Sequence, residues 1–472
     1  MNPARELAEN ICQRLRGSGH QAYLVGGCVR DILLGREPAD YDVSTDATPD
    51  RVLQLFPHSV AVGAQFGVII VQEDDAVQED KSGQEQGSVL EGHGIPQDEH
   101  QAGKRQVEVA TFRSDIGYSD GRHPDRVVYT CSAQEDVKRR DFTINALLLD
   151  PVTKDLFDYV GGRDDLQAGV IRAIGCAEDR FREDKLRMAR AVRFAARFHY
   201  AIEAKTFAAI AKLAPEIHQV SPERLRDELT KLLTEGSARR GFELFDDTGL
   251  LPELLPEIAR MKGVEQPPQY HPEGDVWTHT LIMLEKLPAG CSPTLAWGVL
   301  LHDVGKPPTF TPPTGPHDRI RFNEHAEIGT RMAEQICRRF RFSNAETVQI
   351  AALVANHMRF KDVPQMKPAT LKRFVRLKDF QEHLELHRLD CSSSHGNLDN
   401  YEFVRRFLQD TPPEEVRPPR LISGNDLIAL GLKPSPQFKG LLEEVEEAQL
   451  EGSVTTREEA LEFVRQRTGK AS

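Results

Sequence analysis

A glycine-rich turn and a pair of carboxylates lie close together near the start of this 472-residue chain. The apolar segment Ala22–Val25 runs into Gly26 and Gly27, and Asp40 and Asp42 follow in DYDVST. A strand that leads through glycines into a helix lets backbone N–H groups approach a polyphosphate closely. We expect Asp40 and Asp42 to alternate on one strand face, where both carboxylates can hold Mg²⁺. Taken singly, each of these patterns is common in structural roles.

Metal ions held by two such carboxylates could activate an attacking 3′-hydroxyl and neutralise a departing pyrophosphate. Glu108, in VEVATF, is either a third acid of the same site or an ordinary solvent-facing strand residue. The pattern therefore favours metal-assisted chemistry on a nucleoside triphosphate.

A cationic cluster occupies KRRDFTINA at residues 138–146. Its arginines can pair with phosphates, and Asp141 and Asn145 can hydrogen-bond ribose hydroxyls or align phosphates. The alternative interpretation is a helix N-terminus with solvated charges.

Two helical segments further along carry acid–arginine pairs. Asp184 and Arg187, in REDKLRMAR, are spaced i, i+3 and so should face the same way on a helix. Such a pair can imitate the Watson–Crick edge of a base and select C or A. On spacing alone, a helix-stabilising ion pair is the simpler explanation. The later segment SPERLRDE, at residues 221–228, describes by itself only a well-capped helix.

In this order the four motifs resemble those of class II tRNA nucleotidyltransferases and the related bacterial poly(A) polymerases, over about residues 20–260. The resemblance implies Mg²⁺-dependent catalysis by Asp40 and Asp42 with CTP and ATP as substrates and tRNA as the partner. It implies base selection by Asp184 and Arg187. The nucleotide-binding set that it implies is Gly26, Gly27, Arg30, Arg113, Arg140, Asp141, Asn145, Glu183, Asp184, Arg187, Arg190, Glu223, Arg224 and Glu228.

Three features bear on where this chain stands within that family. The family has proline where this chain has Lys185, a position without substrate contact. An acidic, Gly- and Gln-rich segment at 74–106 is expected to be a flexible insertion at a hairpin tip. Family members that complete CCA carry a flexible loop, and residues 113–124 (RSDIGYSDGRHP) occupy its place as a hinged lid. This lid favours A incorporation over a CC-only enzyme, but leaves CCA addition, A-only addition and poly(A) synthesis open.

A second set of residues with metal-binding chemistry follows in a histidine-rich helical block. An adjacent His-Asp pair on a helix, joined by histidines and an aspartate from other helices, can form a compact metal site with N and O ligands. The residues concerned are His279, His302, Asp303, His325, His357 and Asp390. The block resembles the HD superfamily of metal-dependent phosphohydrolases over about 266–408. The resemblance implies a divalent transition metal (Ni²⁺, Mn²⁺, Co²⁺ or Fe²⁺), with His325 and His357 as the additional ligands of two-metal members.

The elements that must position these residues change in type along the chain. Residues 1–150 show mixed helix and strand patterns, and helical periodicity dominates from about Gly161. We therefore predict an α+β protein: a mixed α/β nucleotidyltransferase head at 1–150, an all-α neck and body at 151–265, an α-helical HD domain at 266–410 and a helical tail at 411–472.

Bulk composition narrows the function classes. Lys and Arg number 60 against 73 Asp and Glu, and this net charge of −13 argues mildly against nucleic acid, although residues 178–240 are locally basic. No apolar run is long enough to span a membrane. Seven scattered cysteines without CxxC spacing favour reduced thiols and a cytoplasmic protein. No obligate protein partner is evident.

The leading hypothesis is thus CCA addition to tRNA with an appended metal hydrolase. A poly(A) polymerase or A-only enzyme is the alternative within the same chemistry. An HD phosphohydrolase whose head only grips RNA is the alternative from another class, although a gripping module needs no paired carboxylates. A non-catalytic tRNA-binding protein ranks last.

Overall fold

A computed structural model describes residues 2–63, 67–74, 104–117, 126–315 and 317–469. The chain forms two compact units. The first comprises Met1–Ser221 and Asp247–Glu253, and the second comprises Pro222–Asp246 and Leu254–Ser472. The α+β class predicted from the sequence is confirmed, with strands concentrated in the first unit and helices dominating the second.

The first unit contains most of the strands. They are β1 (Ala22–Val25), β2 (Asp42–Thr45), β3 (Ser59–Gly63), β4 (Val68–Asp74), β5 (Lys104–Thr111), β6 (Arg113–Ile116), β7 (Arg126–Tyr129), β8 (Leu148–Leu149), β9 (Leu156–Phe157), β10 (Val170–Ile171) and β11 (Ala201–Ile202). Its helices are α1 (Pro3–Gly17), α2 (Gly27–Leu33), α3 (Pro49–Leu55), α4 (Ala133–Lys138), α5 (Gly162–Ala168), α6 (Ala177–Glu183), α7 (Leu186–Phe198) and α8 (Ala204–Leu213).

Seven strands form one sheet in the order β3-β4-β5-β2-β1-β8-β9. All neighbouring strands are antiparallel except β2 and β5, which run parallel. The sheet core is apolar because Leu24, Val43 and Val109 are buried on three adjacent central strands. In this arrangement the last residue of β1, Val25, pairs with the first residue of β2, Asp42, and Asp42 pairs with Glu108 near the middle of β5.

Helix α1 packs against this sheet. Asn2 caps the helix by accepting a hydrogen bond from the backbone N–H of Ala4, and Pro3 occupies the first turn. Leu7, Ile11 and Leu15 recur at helical spacing and are buried, as their spacing predicts.

The second unit is helical. The remaining elements begin with α9 (Pro222–Thr234), α10 (Ala238–Asp247) and α11 (Leu250–Leu254), of which α10 ends in the first unit and α11 lies mostly in it. The others are α12 (Pro256–Ala259), α13 (Val276–Lys286), α14 (Pro293–Leu301), α15 (Lys306–Thr309), β12 (Phe310–Thr311), β13 (Arg321–Phe322), α16 (His325–Arg339), α17 (Asn344–Asn356), α18 (Pro368–Phe374), α19 (Phe380–Ser393), α20 (Asp399–Asp410), α21 (Pro413–Val416), α22 (Gly424–Ala429), α23 (Gln437–Leu450) and α24 (Arg457–Thr468). A 3₁₀ helix, His357–Gln365, follows α17.

Helix α14 lies at the centre of this unit and contacts α9, α13, α17 and α19. It is apolar all round, as expected for a helix that is covered on every side. Its Trp297 is fully buried and donates a hydrogen bond of 2.9 Å from Nε1 to Thr230 Oγ1 of α9. The last three helices share a separate apolar core formed by residues such as Leu427, Val445 and Val464.

Strands also occur beyond Gly161, where the sequence predicts only helices. They are the pairs β10–β11 and β12–β13, each strand only two residues long. Such short strands leave no alternating pattern in a sequence. All seven cysteines are free thiols. None of the helices in the described part of the chain combines the length and apolar character needed to cross a membrane.

Candidate active sites

Two carboxylates, Asp42 and Glu108, lie side by side at the centre of the head sheet, and Asp40 is near enough to influence the pKa of both. Asp42 opens β2 and is in register with Val25 on one neighbouring strand and with Glu108 on the other. Burial and the negative charges of Glu108 and Asp40 raise the pKa of Asp42 to about 6, although Arg140 opposes the shift. The pKa of Glu108 is raised by burial and by Asp40. The structure thus favours Glu108 as a third acid over an ordinary strand residue.

Asp40 is placed differently from the expectation. It lies in the bend that precedes β2 and is exposed, so the two aspartates do not alternate within one strand. The strand starts only at Asp42 because that residue pairs with Val25, the last residue of β1. Both carboxylates still act on the same charge cluster, since Asp40 contributes to the raised pKa of Asp42.

The glycine turn borders this cluster. Gly26 has φ +78°, a backbone conformation that favours glycine, and it leads from β1 into α2. A Cβ atom at this position would lie 3.7 Å from Asp42 Oδ2 and 3.7 Å from Arg140 Nη1. Glycine therefore keeps the space between a carboxylate and an arginine open. Gly27 begins α2.

A buried carboxylate that sequence reasoning missed holds the arginines of the KRRD motif. Asp136 is fully buried and accepts hydrogen bonds from Arg139 at 2.7 Å and from Arg140 at 3.0 Å. It also accepts one from Ser44 Oγ of β2 at 3.3 Å and one from the backbone N–H of Arg113 at 3.3 Å. Although burial opposes ionisation, the two arginines hold the pKa of Asp136 below its ordinary value. The available signal was its spacing, three and four residues before the arginines.

Asp141 and Asn145 belong to a second polar network. Arg190 of α7 forms an ion pair of 2.9 Å with Asp141, and Asn145 Nδ2 donates to Asp141 Oδ1 at 3.2 Å. Asn145 Oδ1 in turn accepts a hydrogen bond of 2.6 Å from Arg30 Nη1, and Arg30 also pairs with Asp31. Four residues of the sequence-predicted nucleotide-binding set therefore meet here, because α2, α7 and the 3₁₀ turn Thr143–Asn145 converge.

The arrangement of Asp184 and Arg187 corrects the sequence prediction. Helix α6 ends at Glu183, and Asp184 follows in an extended conformation (φ −148°, ψ 106°) before α7 begins at Leu186. The two residues are therefore not i, i+3 partners on one helix. Asp184 accepts a hydrogen bond from the backbone N–H of Leu186 at 3.1 Å, so it favours a helix start rather than a helix interior. Arg187 pairs instead with Glu183 at 2.6 Å.

The remaining nucleotide-binding predictions lie elsewhere. Glu223, Arg224 and Glu228 lie on α9 in the second unit, where Glu223 forms an ion pair with Arg341 and Glu228 is buried. Within the predicted lid, residues 113–116 form β6, paired with β7, instead of a loop. Arg113 pairs with Asp115 at 2.9 Å. Residues 118–124 of the lid and residues 75–103 of the predicted insertion lie outside the described part of the chain.

The histidine block brings all six predicted ligands into two clusters. His279, His302 and Asp390 form one, and Asp303, His325 and His357 form the other, each with its ligand atoms within 4.8 Å of one another. In the second cluster, Asp303 Oδ1 lies 3.8 Å from Nε2 of both His325 and His357, and these two nitrogens are 3.3 Å apart. Ligands about 2.1 Å from one ion stand at roughly these separations from each other.

Several of these ligands lie at helix ends and not within helices. His302 follows the last residue of α14, Asp303 lies in the turn after it, and His357 follows α17. The expected His-Asp pair on a helix is therefore a pair just beyond its C-terminus. Gly305 explains how the turn meets α16: a Cβ atom there would lie 2.1 Å from the backbone carbonyl oxygen of His325. Only glycine permits this approach, which brings His325 beside Asp303.

Each of the four histidines has its Nδ1 atom engaged by the protein. Nδ1 of His302, His325 and His357 lies 2.6–2.8 Å from the carbonyl oxygens of Val299, Phe322 and Val354, and that of His279 lies 2.6 Å from Glu273. This pattern is typical of metal-bound histidine, whose second nitrogen is oriented by a carbonyl or carboxylate.

The orientation fixed at Nδ1 leaves Nε2 as the candidate ligand atom. Nε2 of His302 is buried and lies 3.1 Å from Asp303 Oδ2. Hydrogen bonds that His279 donates to Asp390 and Glu273 outweigh burial and raise the pKa of His279 to about 9, so a metal would displace a proton there. The donor set of imidazoles and carboxylates fits a divalent transition metal.

Lys306 and Gln266 are parts of this site that sequence reasoning missed. Lys306 is buried, and its Nζ donates to Gln266 Oε1 at 2.6 Å and lies 2.7 Å from Asp303 Oδ2. Lys306 thus holds one oxygen of Asp303 while the other faces His325 and His357. The spacing of Lys306, three residues after Asp303, was an available signal, whereas nothing in the sequence pointed to Gln266.

Comparisons with known proteins find relatives of three segments of the chain and of the whole chain. Family models match three segments: "Poly A polymerase head domain" at residues 22–172, "Probable RNA and SrmB- binding site of polymerase A" at 199–262 and "HD domain" at 275–385. A CCA-adding enzyme of Lactobacillus johnsonii is 29% identical over 462 residues, covering 96% of this chain and 95% of that protein. One of Geobacillus kaustophilus is 38% identical over 259 residues, covering 55% of this chain and 56% of that protein.

Solved structures of CCA-adding enzymes also match the whole chain. The crystal structure of the Bacillus stearothermophilus CCA-adding enzyme in complex with CTP has a TM-score of 0.69 and 26% identity, with 100% of both chains covered. A Thermotoga maritima CCA-adding enzyme complexed with tRNA shares the fold, with a TM-score of 0.55 and 19% identity. The chain therefore carries a poly(A) polymerase head domain and an HD domain, and it is similar along its whole length to CCA-adding enzymes.

Proposed function

We propose that this protein adds CCA to the 3′ end of tRNA from CTP and ATP. The observation that carries the proposal is the cluster of Asp42, Glu108 and Asp40 beside the open turn at Gly26 and the guanidinium of Arg140. Neighbouring carboxylates with raised pKa values favour the binding of a divalent cation. An open turn next to an arginine can accommodate a triphosphate.

In this proposal, different residues of the head bind the metal, the triphosphate and the ribose. Asp40 and Asp42 would hold Mg²⁺, with Glu108 beside them. The metal supplies activation of the attacking 3′-hydroxyl and neutralises charge on the pyrophosphate. Arg140, held by Asp136, orients the triphosphate, and the network of Asp141 and Asn145 receives the ribose.

Base selection is assigned to Asp184 and Arg187. Both follow the end of α6, where Arg187 is braced by Glu183 and by the carbonyl oxygen of Arg139 at 3.2 Å. A braced guanidinium and a carboxylate offer donors and an acceptor to a base edge.

We expect Arg187→Ala to admit UTP and GTP, because a bidentate contact contributes about 1–3 kcal/mol of discrimination. Unchanged preference for CTP and ATP in that variant would remove this role.

Substitution of the carboxylates tests the catalytic assignment. Asp40→Ala and Asp42→Ala should each abolish incorporation of both CTP and ATP while tRNA still binds in a filter or gel-shift assay. Asp50→Asn, an exposed carboxylate on α3, is the matched control and should incorporate both nucleotides as the parent does. Substantial turnover by either alanine variant would contradict a shared metal site.

Addition of CCA rather than A alone or poly(A) is supported by two considerations. The aligned relatives are named CCA-adding enzymes, and one solved relative holds CTP. In addition, Arg113 at the base of the lid is fixed by Asp136, which also holds both KRRD arginines. A lid anchored to the phosphate-binding arginines is suited to the change from C to A addition.

The HD domain is proposed to be a second, metal-dependent phosphohydrolase. The observation that carries this is the pair of three-ligand clusters with all four Nδ1 atoms engaged. A transition metal there would supply hydroxide near neutral pH. A tRNA end bearing a 2′,3′-cyclic phosphate is the proposed substrate, because its removal exposes the 3′-hydroxyl that the head requires.

Two measurements test the HD assignment. Protein loaded with Ni²⁺ or Mn²⁺ and then desalted should retain metal in elemental analysis. The double variant His302→Ala, Asp303→Ala should lose retained metal and hydrolysis but keep nucleotide addition. A parent protein that retains no metal would overturn the site, and loss of nucleotide addition in the variant would contradict separate centres.

A further inference from the structure

A cavity of about 760 Å³ lies over the HD metal-ligand cluster. Its lining includes Asp303, His325, His357 and Asp390, so any substrate of that centre must occupy this space. Lys306 also lines it, held against Asp303 as described above. The cavity is thus much larger than a phosphate group, and its remaining walls must contact the rest of the substrate.

An aromatic residue and a cation form one wall of this cavity. Tyr270 lines the cavity and keeps half of its surface exposed. The guanidinium carbon of Arg319 lies over the Tyr270 ring, 6.0 Å from its centroid, and Arg319 Nη1 donates to the tyrosine hydroxyl at 3.4 Å. A half-exposed tyrosine ring that is held by a guanidinium is a surface on which a planar base can stack.

The hairpin that carries Arg319 is ordered by Asp318. The carboxylate of Asp318 accepts hydrogen bonds from the backbone N–H groups of Thr314 and Arg319, at 2.8 and 2.9 Å. It also pairs with Arg321 of β13 at 2.8 Å. Arg319 is therefore presented from a fixed turn, and Arg321 and the exposed Lys361 add positive charge to the same cavity.

We propose that Tyr270, braced by Arg319, is a base-stacking platform that makes the HD centre selective for nucleoside phosphoesters over phosphoesters without a base. The proposal rests on the hydrolase function assigned to this domain. The ester phosphate lies at the metal-ligand cluster beside Lys306, and the attached base lies on Tyr270. A free nucleotide and the last nucleotide of an RNA present the same base and phosphate, so both are substrates of this class.

A comparison of two cyclic esters on the full, Ni²⁺- or Mn²⁺-loaded chain tests the platform. Adenosine 2′,3′-cyclic phosphate carries a base, and glycerol 1,2-cyclic phosphate does not. Tyr270→Ala should raise KM for the adenosine ester about tenfold relative to KM for the glycerol ester, the loss of about one stacked base. Tyr270→Phe keeps the ring and should retain the preference. Phe403→Ala removes a comparably exposed aromatic outside the cavity and should not alter it.

A binding measurement separates failure of the platform from failure of the hydrolase. Isothermal titration of adenosine 2′-monophosphate into the metal-free chain should show a binding component that Tyr270→Ala weakens about tenfold and Phe403→Ala does not. If neither ester is hydrolysed but this component is present, the hydrolase assignment fails and the platform stands. An equal effect of Tyr270→Ala on both esters, or no effect on either ester and none on binding, overturns the platform.

An RNA ending in a 2′,3′-cyclic phosphate, assayed beside adenosine 2′,3′-cyclic phosphate, identifies the source of the base. A clearly larger effect of Tyr270→Ala on KM for the RNA than on KM for the adenosine ester assigns the platform to the RNA terminus. Equal effects on both substrates assign it to any nucleoside ester.

Discussion

At the residue scale, Asp42 carries an electrostatic cost that a cation bound beside it would relieve. Burial and the charges of Glu108 and Asp40 raise its pKa from 3.8 to about 6. Because the folded state binds the proton more tightly than the unfolded state, ionised Asp42 destabilises the metal-free protein. This cost is absent below about pH 4, grows as the pH rises towards 6 and is complete at neutral pH. A cation bound there cancels it.

We therefore predict that Asp42→Asn stabilises the metal-free protein while abolishing nucleotide addition. The gain in the free energy of unfolding should reach up to about 3 kcal/mol at pH 8, from a shift of about two pKa units. It should shrink as the pH falls from 6 towards 4. Urea denaturation in EDTA across this range measures it. A variant that is less stable at pH 8, or a difference that does not change with pH, would contradict the carboxylate cluster.

Asp136 is the residue on which the positions of several others depend. It binds Arg139, Arg140, Ser44 Oγ and the backbone of Arg113 with no exposure to solvent. Removing one partner from a buried charge network leaves the others uncompensated, at a cost of about 3–5 kcal/mol.

Asp136→Asn should lower the free energy of unfolding by about 3 kcal/mol. It should also raise KM for both CTP and ATP more than it lowers kcat, because Arg140 loses its orientation. Steady-state kinetics with each nucleotide provide the check, and Asp50→Asn again serves as control. A normal KM in a folded Asp136→Asn protein would show that Arg140 is positioned without it.

At the scale of elements, β4 and β5 remain paired as far as Asp74 and Lys104. Residues 75–103 connect these two strand ends. Loop length affects closure entropy only weakly, by about 0.6 kcal/mol per doubling. The hairpin should therefore tolerate a much shorter connection.

Deleting residues 75–101 should leave the unfolding midpoint and the rate of nucleotide addition nearly unchanged. The measurements are thermal denaturation and a tRNA end-addition assay. A variant that fails to fold would make the segment structural, and a folded variant with weakened tRNA binding would make it a binding arm.

Elements that combine strong periodicity with clear end signals were predictable from the sequence. Helix α1, with Asn2, Pro3 and its apolar face, is such a case, and so is the strand–glycine–helix turn at Gly26. The break between α6 and α7 was missed because Glu183 to Leu186 read as continuous helix, although Asp184, a residue type that favours helix starts, was an available local signal. The role of Gln266 and the contacts of Asp136 with Ser44 and Arg113 were not predictable, because these long-range contacts leave no periodic pattern.

At the scale of the whole molecule, two kinds of candidate metal site lie in two different compact units. The carboxylate cluster of the head lies in the first unit, and the histidine clusters lie in the second. The ligand types differ as well: oxygen alone in the head suits Mg²⁺, whereas imidazole suits a transition metal. The six candidate ligands of the histidine block were chosen because their order matched a known motif, and their role as metal ligands stays a prediction. Their division into two clusters depended on the packing of α13, α14, α16, α17 and α19.

The identity of the added nucleotides is the central claim, and sequencing the product tests it most directly. A tRNA transcript lacking its last three nucleotides is incubated with the full chain, Mg²⁺, CTP and ATP, and the 3′ ends are read by sequencing. The account predicts products that end in CCA and stop there, and products that end in CC when ATP is withheld. A run of A residues, a single A added without C, or an unextended transcript would contradict it.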